Sequence, residues 1–140
     1  MTAARAEALA VVVVAAGAAV WVAMGRARED LPPAYAGLVN PRRGDPAAIA
    51  DGARLFRDNC ASCHGENADG RGPAARGLEP PPANFHAGDV LAARSDAYLY
   101  YRVTAGKPGT AMPAFDGALD PGARWALVAY LRTLGGSGGG

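Results

Sequence analysis

Cys60-Ala61-Ser62-Cys63-His64 is where the chemistry of this chain is concentrated. The two cysteines are the only ones in 140 residues, and His64 is one of two histidines. Thiols three residues apart on one turn can both bond to one flat ligand. The imidazole that follows is then held under a metal at that ligand's centre. C-x-x-C-H is the attachment signature of c-type haem. Other chemistries use similar parts. A redox C-x-x-C has no need of His64 and belongs in a βαβ context absent here. A zinc site needs four ligands, and beyond these three only His86 or a carboxylate is on offer. A plain disulfide is possible outside the cytoplasm.

Iron held by His64 needs a ligand on its other side or an open position. Met112 is the only methionine after the motif, in Gly109-Thr110-Ala111-Met112-Pro113. A thioether in a polar loop stiffened by Pro108 and Pro113 is poor core material; bound to iron it would raise the reduction potential. His86, in Asn84-Phe85-His86-Ala87-Gly88-Asp89, is the rival ligand. The free ring nitrogen of His64 should donate to a backbone carbonyl, for which Pro73 in the Gly-Arg-Gly-Pro turn is the natural choice. Arg71, Arg76 or the tyrosines could reach the carboxylates of the haem.

Three helices have to position these residues. Asp45-Pro46 reads as an N-cap with proline at the first helical position, opening a helix to about Asn59 with Ile49, Gly52, Ala53 and Phe56 on one face. Ser95 caps a second, about 96–104, with Tyr98, Leu99, Tyr101 and Val103 as buried residues and Gly106 as its stop. Asp120-Pro121 opens a third, with a stripe of Trp125, Val128, Leu131 and Leu134, flanked by Leu127, and Gly135 as C-cap. The long segment 66–94 reads as loop, and loops of that length usually wrap something. No strand pattern, internal repeat or phosphate-binding glycine motif is present.

Upstream, residues 8–25 are uncharged and free of proline, long enough to cross a bilayer core of about 30 Å. They read as a retained anchor rather than a cleaved signal, because the small-residue cleavage site is weak. The expected organisation is an anchor at 1–25, a proline-rich spacer at 26–44, a folded domain at 45–135 and a flexible Gly/Ser tail at 136–140. Formal charge is +1 overall. Between Asp45 and Leu134 nine Arg or Lys face ten Asp or Glu. That balance argues against a nucleic-acid binder. Arg26 and Arg28 would by themselves place the domain on the cytoplasmic side.

With these residues in place, the sequence resembles the class I monohaem cytochromes c, in the membrane-anchored bacterial respiratory form. The likeness runs from about Asp45 to Gly135. It rests on Cys60-x-x-Cys63-His64, on Gly52-x-x-x-Phe56, on Leu127-x-x-Tyr130 and on the Gly-Thr-Ala-Met-Pro-Ala-Phe loop at 109–115. The segments Pro-Pro-Pro-Ala-Asn-Phe at 80–85 and Leu-Tyr-Tyr-Arg-Val-Thr-Ala-Gly at 99–106 add to it. The resemblance implies an all-α fold of three main helices around one covalent haem c, preceded here by one transmembrane helix. It implies attachment through Cys60 and Cys63, axial iron ligation by His64 and Met112, and one-electron transfer with no substrate turnover. Gly52 should permit close crossing by the last helix. The implied partners are membrane respiratory complexes, a quinol-oxidising complex and a haem–copper terminal oxidase, of which the chain could itself be a subunit. The domain is expected on the periplasmic side of the cytoplasmic membrane, since haem is attached there, and this outweighs Arg26 and Arg28. A photosynthetic donor, and a haem enzyme or gas sensor with an open iron position, stay open as alternatives. The family's mitochondrial lysine ring is missing, since Lys107 is the only lysine.

Overall fold

The structure, a computed structural model, describes residues 30–135. The expected anchor at 1–25 and the tail at 136–140 lie outside the described residues. Among those described, all regular structure is helical, and no helix is long and apolar enough to cross a membrane.

Four α-helices follow in order: α1 (Pro46–Asn59), α2 (Ala61–His64), α3 (Asp96–Ala105) and α4 (Pro121–Leu134), with single 3-10 turns at Pro33–Tyr35 and Pro73–Ala75. Three of the starts are those expected, for the expected reason. Asp45 accepts from the backbone N–H of Ala47, Ser95 from Tyr98 and Asp120 from Ala123. Each satisfies one of the amide donors that a helix start leaves orphaned. The short α2, inside the cysteine motif, was expected only as the end of α1.

The core forms where α1 crosses α4, with Phe56, Leu127 and Val128 almost fully buried. Gly52 is what lets the two backbones meet. A Cβ there would run into the carbonyl of Ala126 and lie 2.8 Å from the Cβ of Tyr130. One turn further along α1, Phe56 packs on the Tyr130 ring at 5.5 Å between centroids. Gly52-x-x-x-Phe56 and Leu127-x-x-Tyr130 therefore do meet.

Helix α3 turns a different face inward than expected. Leu99 and Val103 are buried as anticipated, but the aromatic of α3 that lies inside is Tyr100, stacked on Trp125 at 4.0 Å. Tyr98 and Tyr101 stay partly exposed and carry arginines on their rings: Arg94 and Arg102 over Tyr98, and Arg102 over Tyr101. An aromatic face can be covered by a guanidinium instead of by the core. Two further arginines tie α3 and its approach to α4. Arg124, itself buried, donates to the Thr104 hydroxyl at 2.6 Å. Arg132 pairs with the buried Asp96 at 2.6 Å and also donates to the carbonyls of Leu91 and Arg94.

The segment expected to be a spacer is, over its described part, folded onto the domain. Tyr35 packs on the Tyr101 ring at 4.8 Å. Asn40, only 3 % exposed, donates through its side-chain amide to the Trp125 carbonyl. Prolines suggested a semi-extended stretch, but a buried polar anchor and an aromatic contact outweigh that local preference.

Candidate functional site: an apolar cavity between the cysteine motif and the methionine loop

Cys60 ends α1 and begins α2, so the motif is wound onto the helix pair. Its amide bonds to the Phe56 carbonyl, and the amides of Cys63 and His64 bond back to the Cys60 carbonyl. Both cysteines are free thiols of intermediate exposure. Burial, with a smaller contribution from Cys63, pushes the Cys60 thiol up to about 12, so it stays a neutral thiol at ordinary pH.

The His64 ring is fixed from two sides. Its Nδ1 lies 3.1 Å from the Ala83 carbonyl, and the Phe85 ring stacks on it at 4.8 Å. A carbonyl can only accept, so Nδ1 carries the proton and Nε2 keeps its lone pair. Burial pulls the imidazole pKa below its ordinary value, against the pull of the Ala83 bond, so the neutral, ligating form prevails near pH 7. The expected acceptor, Pro73, is not the one found. The 66–94 loop doubles back, with Phe85 N–H donating to the Ala68 carbonyl, and this brings Ala83 rather than Pro73 over the ring.

A cavity of about 900 Å³, open mouth included, lies above these residues. Its walls include Cys60, His64 and Met112, together with Phe56, Phe85, Leu99, Val103 and Leu127. Cys63 shares α2 with His64 but is not among the lining residues. Met112 is held by a small closed loop. Its N–H donates to the Thr110 hydroxyl, its carbonyl accepts from Lys107, and the Thr110 hydroxyl donates to the Lys107 carbonyl at 2.8 Å. His86 is elsewhere: exposed, absent from the cavity wall, with Nε2 at 2.7 Å from the Asn67 carbonyl. Nor do Arg71 and Arg76 line the cavity; Arg94, Arg102 and Lys107 do, beside Tyr98.

Those three cations, and Ala83, were missed in the sequence. The two arginines had a readable signal, since Arg94, Tyr98 and Arg102 recur every fourth residue from the approach to α3 into the helix; Lys107 had none. Ala83 had none, because a backbone carbonyl leaves no mark in residue type. Among the described residues no cluster of three His, Cys, Asp or Glu side chains is arranged to hold a bare metal ion. That disfavours the zinc reading.

The family model described as cytochrome c oxidase, cbb3-type, subunit III matches residues 47–131, which include α2, the cavity and the Met112 loop. The chain belongs to that family. The cbb3 subunit III match supports the class I monohaem cytochrome c resemblance, of bacterial respiratory type, and the cofactor it implies is haem c. The residues fit that group. An apolar cavity, two adjacent free thiols, an imidazole with its lone pair free and a thioether are the donor set that haem c requires. Among similar curated proteins is the cbb3-type cytochrome c oxidase subunit CcoP of Azospirillum brasilense, 37% identical over 70% of this chain and 32% of that protein. The FixP subunit of Azorhizobium caulinodans is 39% identical over 66% of this chain and 29% of its own length. The chain thus spans about a third of the length of these relatives. A chain of the Kuenenia stuttgartiensis reducing HAO-like protein complex superposes with a TM-score of 0.59 and 31% identity, over 70% of this chain and 47% of that one.

Proposed function

We propose that this protein is a one-electron carrier, a membrane-tethered monohaem c-type cytochrome domain. In this reading it serves a haem–copper oxidase of the cbb3 type, as a subunit or as its immediate donor. Electrons come from the quinol-oxidising side of the chain, and the domain stands on the periplasmic face of the cytoplasmic membrane. The observation that carries the reading is that a neutral His64, Met112 and Cys60 share the walls of one apolar cavity.

Cys60 and Cys63 would hold the cofactor through their sulfurs, and His64 Nε2 and the Met112 sulfur would bind its iron. Bound there, haem supplies a one-electron iron couple. The rest is done by the chain. The Ala83 carbonyl keeps the proton on Nδ1 and the ring in one orientation, and Phe85 prevents its rotation. Phe56, Leu99, Val103 and Leu127 exclude water, which sustains a high potential. The Thr110–Lys107 loop presents Met112 without a conformational search. With His64 and Met112 both on the iron no position would be left for a substrate, which argues against the enzyme and gas-sensor alternative.

The test is isolation of the mature full chain from its own membrane in mild detergent. We expect a mass greater than the bare polypeptide by one haem, co-purification with a haem–copper oxidase, and re-oxidation of the reduced domain by that oxidase. Co-purification with a photosynthetic reaction centre instead would replace the partner. A mass equal to the bare chain would end the reading.

A further inference from the structure

The cavity wall carries three cations, Arg94, Arg102 and Lys107, and no carboxylate. Arg102 is the informative one. Its Nε is buried without a hydrogen-bond partner. Its guanidinium is held only by rings, 4.0 Å from the Tyr101 centroid and 5.4 Å from that of Tyr98. Arg94 also rests on the Tyr98 ring, 4.7 Å from its centroid. None of the three side chains has a carboxylate partner among the described residues. The one buried acid among the described residues, Asp96, is not available to them, because it is taken by Arg132 and lies near Arg43. An unpaired cation at the edge of an apolar cavity is costly unless the ligand brings the counter-charge.

We propose that Arg102, assisted by Arg94 and Lys107, binds the two carboxylates of the haem, so that the ring enters with its propionate edge turned toward α3 and away from the Arg71–Arg76 segment. This rests on the haem reading above and adds to it an orientation and a charge partner. Stacking between Tyr98 and Tyr101 fixes the guanidinium plane before the ligand arrives, leaving its donors free for a planar carboxylate. Arg102 is thereby a positioning residue for the ring and a local positive charge that favours the reduced state.

The experiment uses the mature full chain and three variants, Arg102→Gln, Arg102→Lys, and the double variant Arg94→Gln with Lys107→Gln. Covalent haem is read by mass, the midpoint potential by redox titration, and the carboxylate environment by the propionate bending band in resonance Raman spectra. We expect Arg102→Gln to keep its haem, to titrate at a lower potential and to show a shifted propionate band. Arg102→Lys should return both toward the parent, because it restores the charge. Should Arg102→Gln fail to accumulate folded, the double variant carries the test, with the same two changes expected at smaller size. An unmoved propionate band in a haem-loaded variant overturns the proposal, even where the potential drops. So does a lysine variant that behaves as the glutamine one. Failure of the haem reading is seen separately, as a parent chain with the mass of the bare polypeptide.

Discussion

Met112 is a half-buried residue of the cavity wall whose neighbours hold its backbone. Replacing it with alanine removes the proposed iron ligand without touching the thiols. Met112→Ala is expected to retain covalent haem by mass, to lose potential in a redox titration, and to bind carbon monoxide rapidly when reduced. An unchanged potential would point to another ligand. Asp45 offers a residue-scale test of pH dependence. The Ala47 N–H, then that of Ala48 and the Arg42 side chain, hold its carboxylate below the ordinary 3.8. A depressed folded pKa means stabilisation that is present above pH 3.8 and lost as pH falls through the folded value. Asp45→Asn keeps a capping oxygen but cannot titrate. Its thermal midpoint should therefore fall less than the parent's between about pH 4.5 and 3, an interval set by the ordinary carboxylate range. At this scale the sequence speaks clearly where chemistry is local. Cys60, Cys63, His64 and Met112 could be picked out because thiols, imidazoles and thioethers are rare and their spacing is informative. The carbonyl that orients His64 could not, since it depends on how a long loop returns.

Elements bring those residues together through two glycines. At Gly52 an alanine would gain about 1 kcal/mol of helix propensity. Its Cβ, however, would strike the Ala126 backbone, which belongs to another helix and cannot step aside. Overpacking of that kind costs about 1–3 kcal/mol, and more where backbone must move, so the clash wins. Gly52→Ala should lower the denaturation midpoint by the equivalent of about 2 kcal/mol, a net figure for overpacking against propensity, and urea titration of the loaded protein would measure it. Gly106 does a different job. It ends α3 at φ +69°, and a side chain there would lie within 2.6–2.8 Å of the backbone of Met112, Pro113 and Ala114. Gly106→Ala is therefore expected to disturb the methionine loop, weakening the ferric iron–methionine absorption band toward the red end of the visible spectrum while global helicity survives in circular dichroism. Arg132 fastens the end of the long loop. Removing it leaves Asp96, whose side chain is 7% exposed, without its close partner. Arg132→Ala should cost about 3 kcal/mol in equilibrium unfolding. Helix starts were readable because Asp-Pro and Ser-Asp carry their own capping chemistry. The inward face of α3 was not, because Tyr98 and Tyr101 look like core residues until the arginines that cover them are placed.

At the scale of the whole molecule, residues 31–135 form one compact unit, and its opening residues belong to it. Tyr35 rests on α3 while Asn40 reaches the backbone of α4. Composition hid this. Pro32, Pro33 and Pro41 look like a spacer, and only the buried amide of Asn40 and the aromatic seat for Tyr35 show that the stretch has lost its freedom. Residues 31–40 therefore move with the domain and add nothing to the length of any leash upstream of them. A shorter leash confines the domain to a smaller volume and a narrower range of headings, which concentrates it on whatever lies within arm's length and starves it of distant partners.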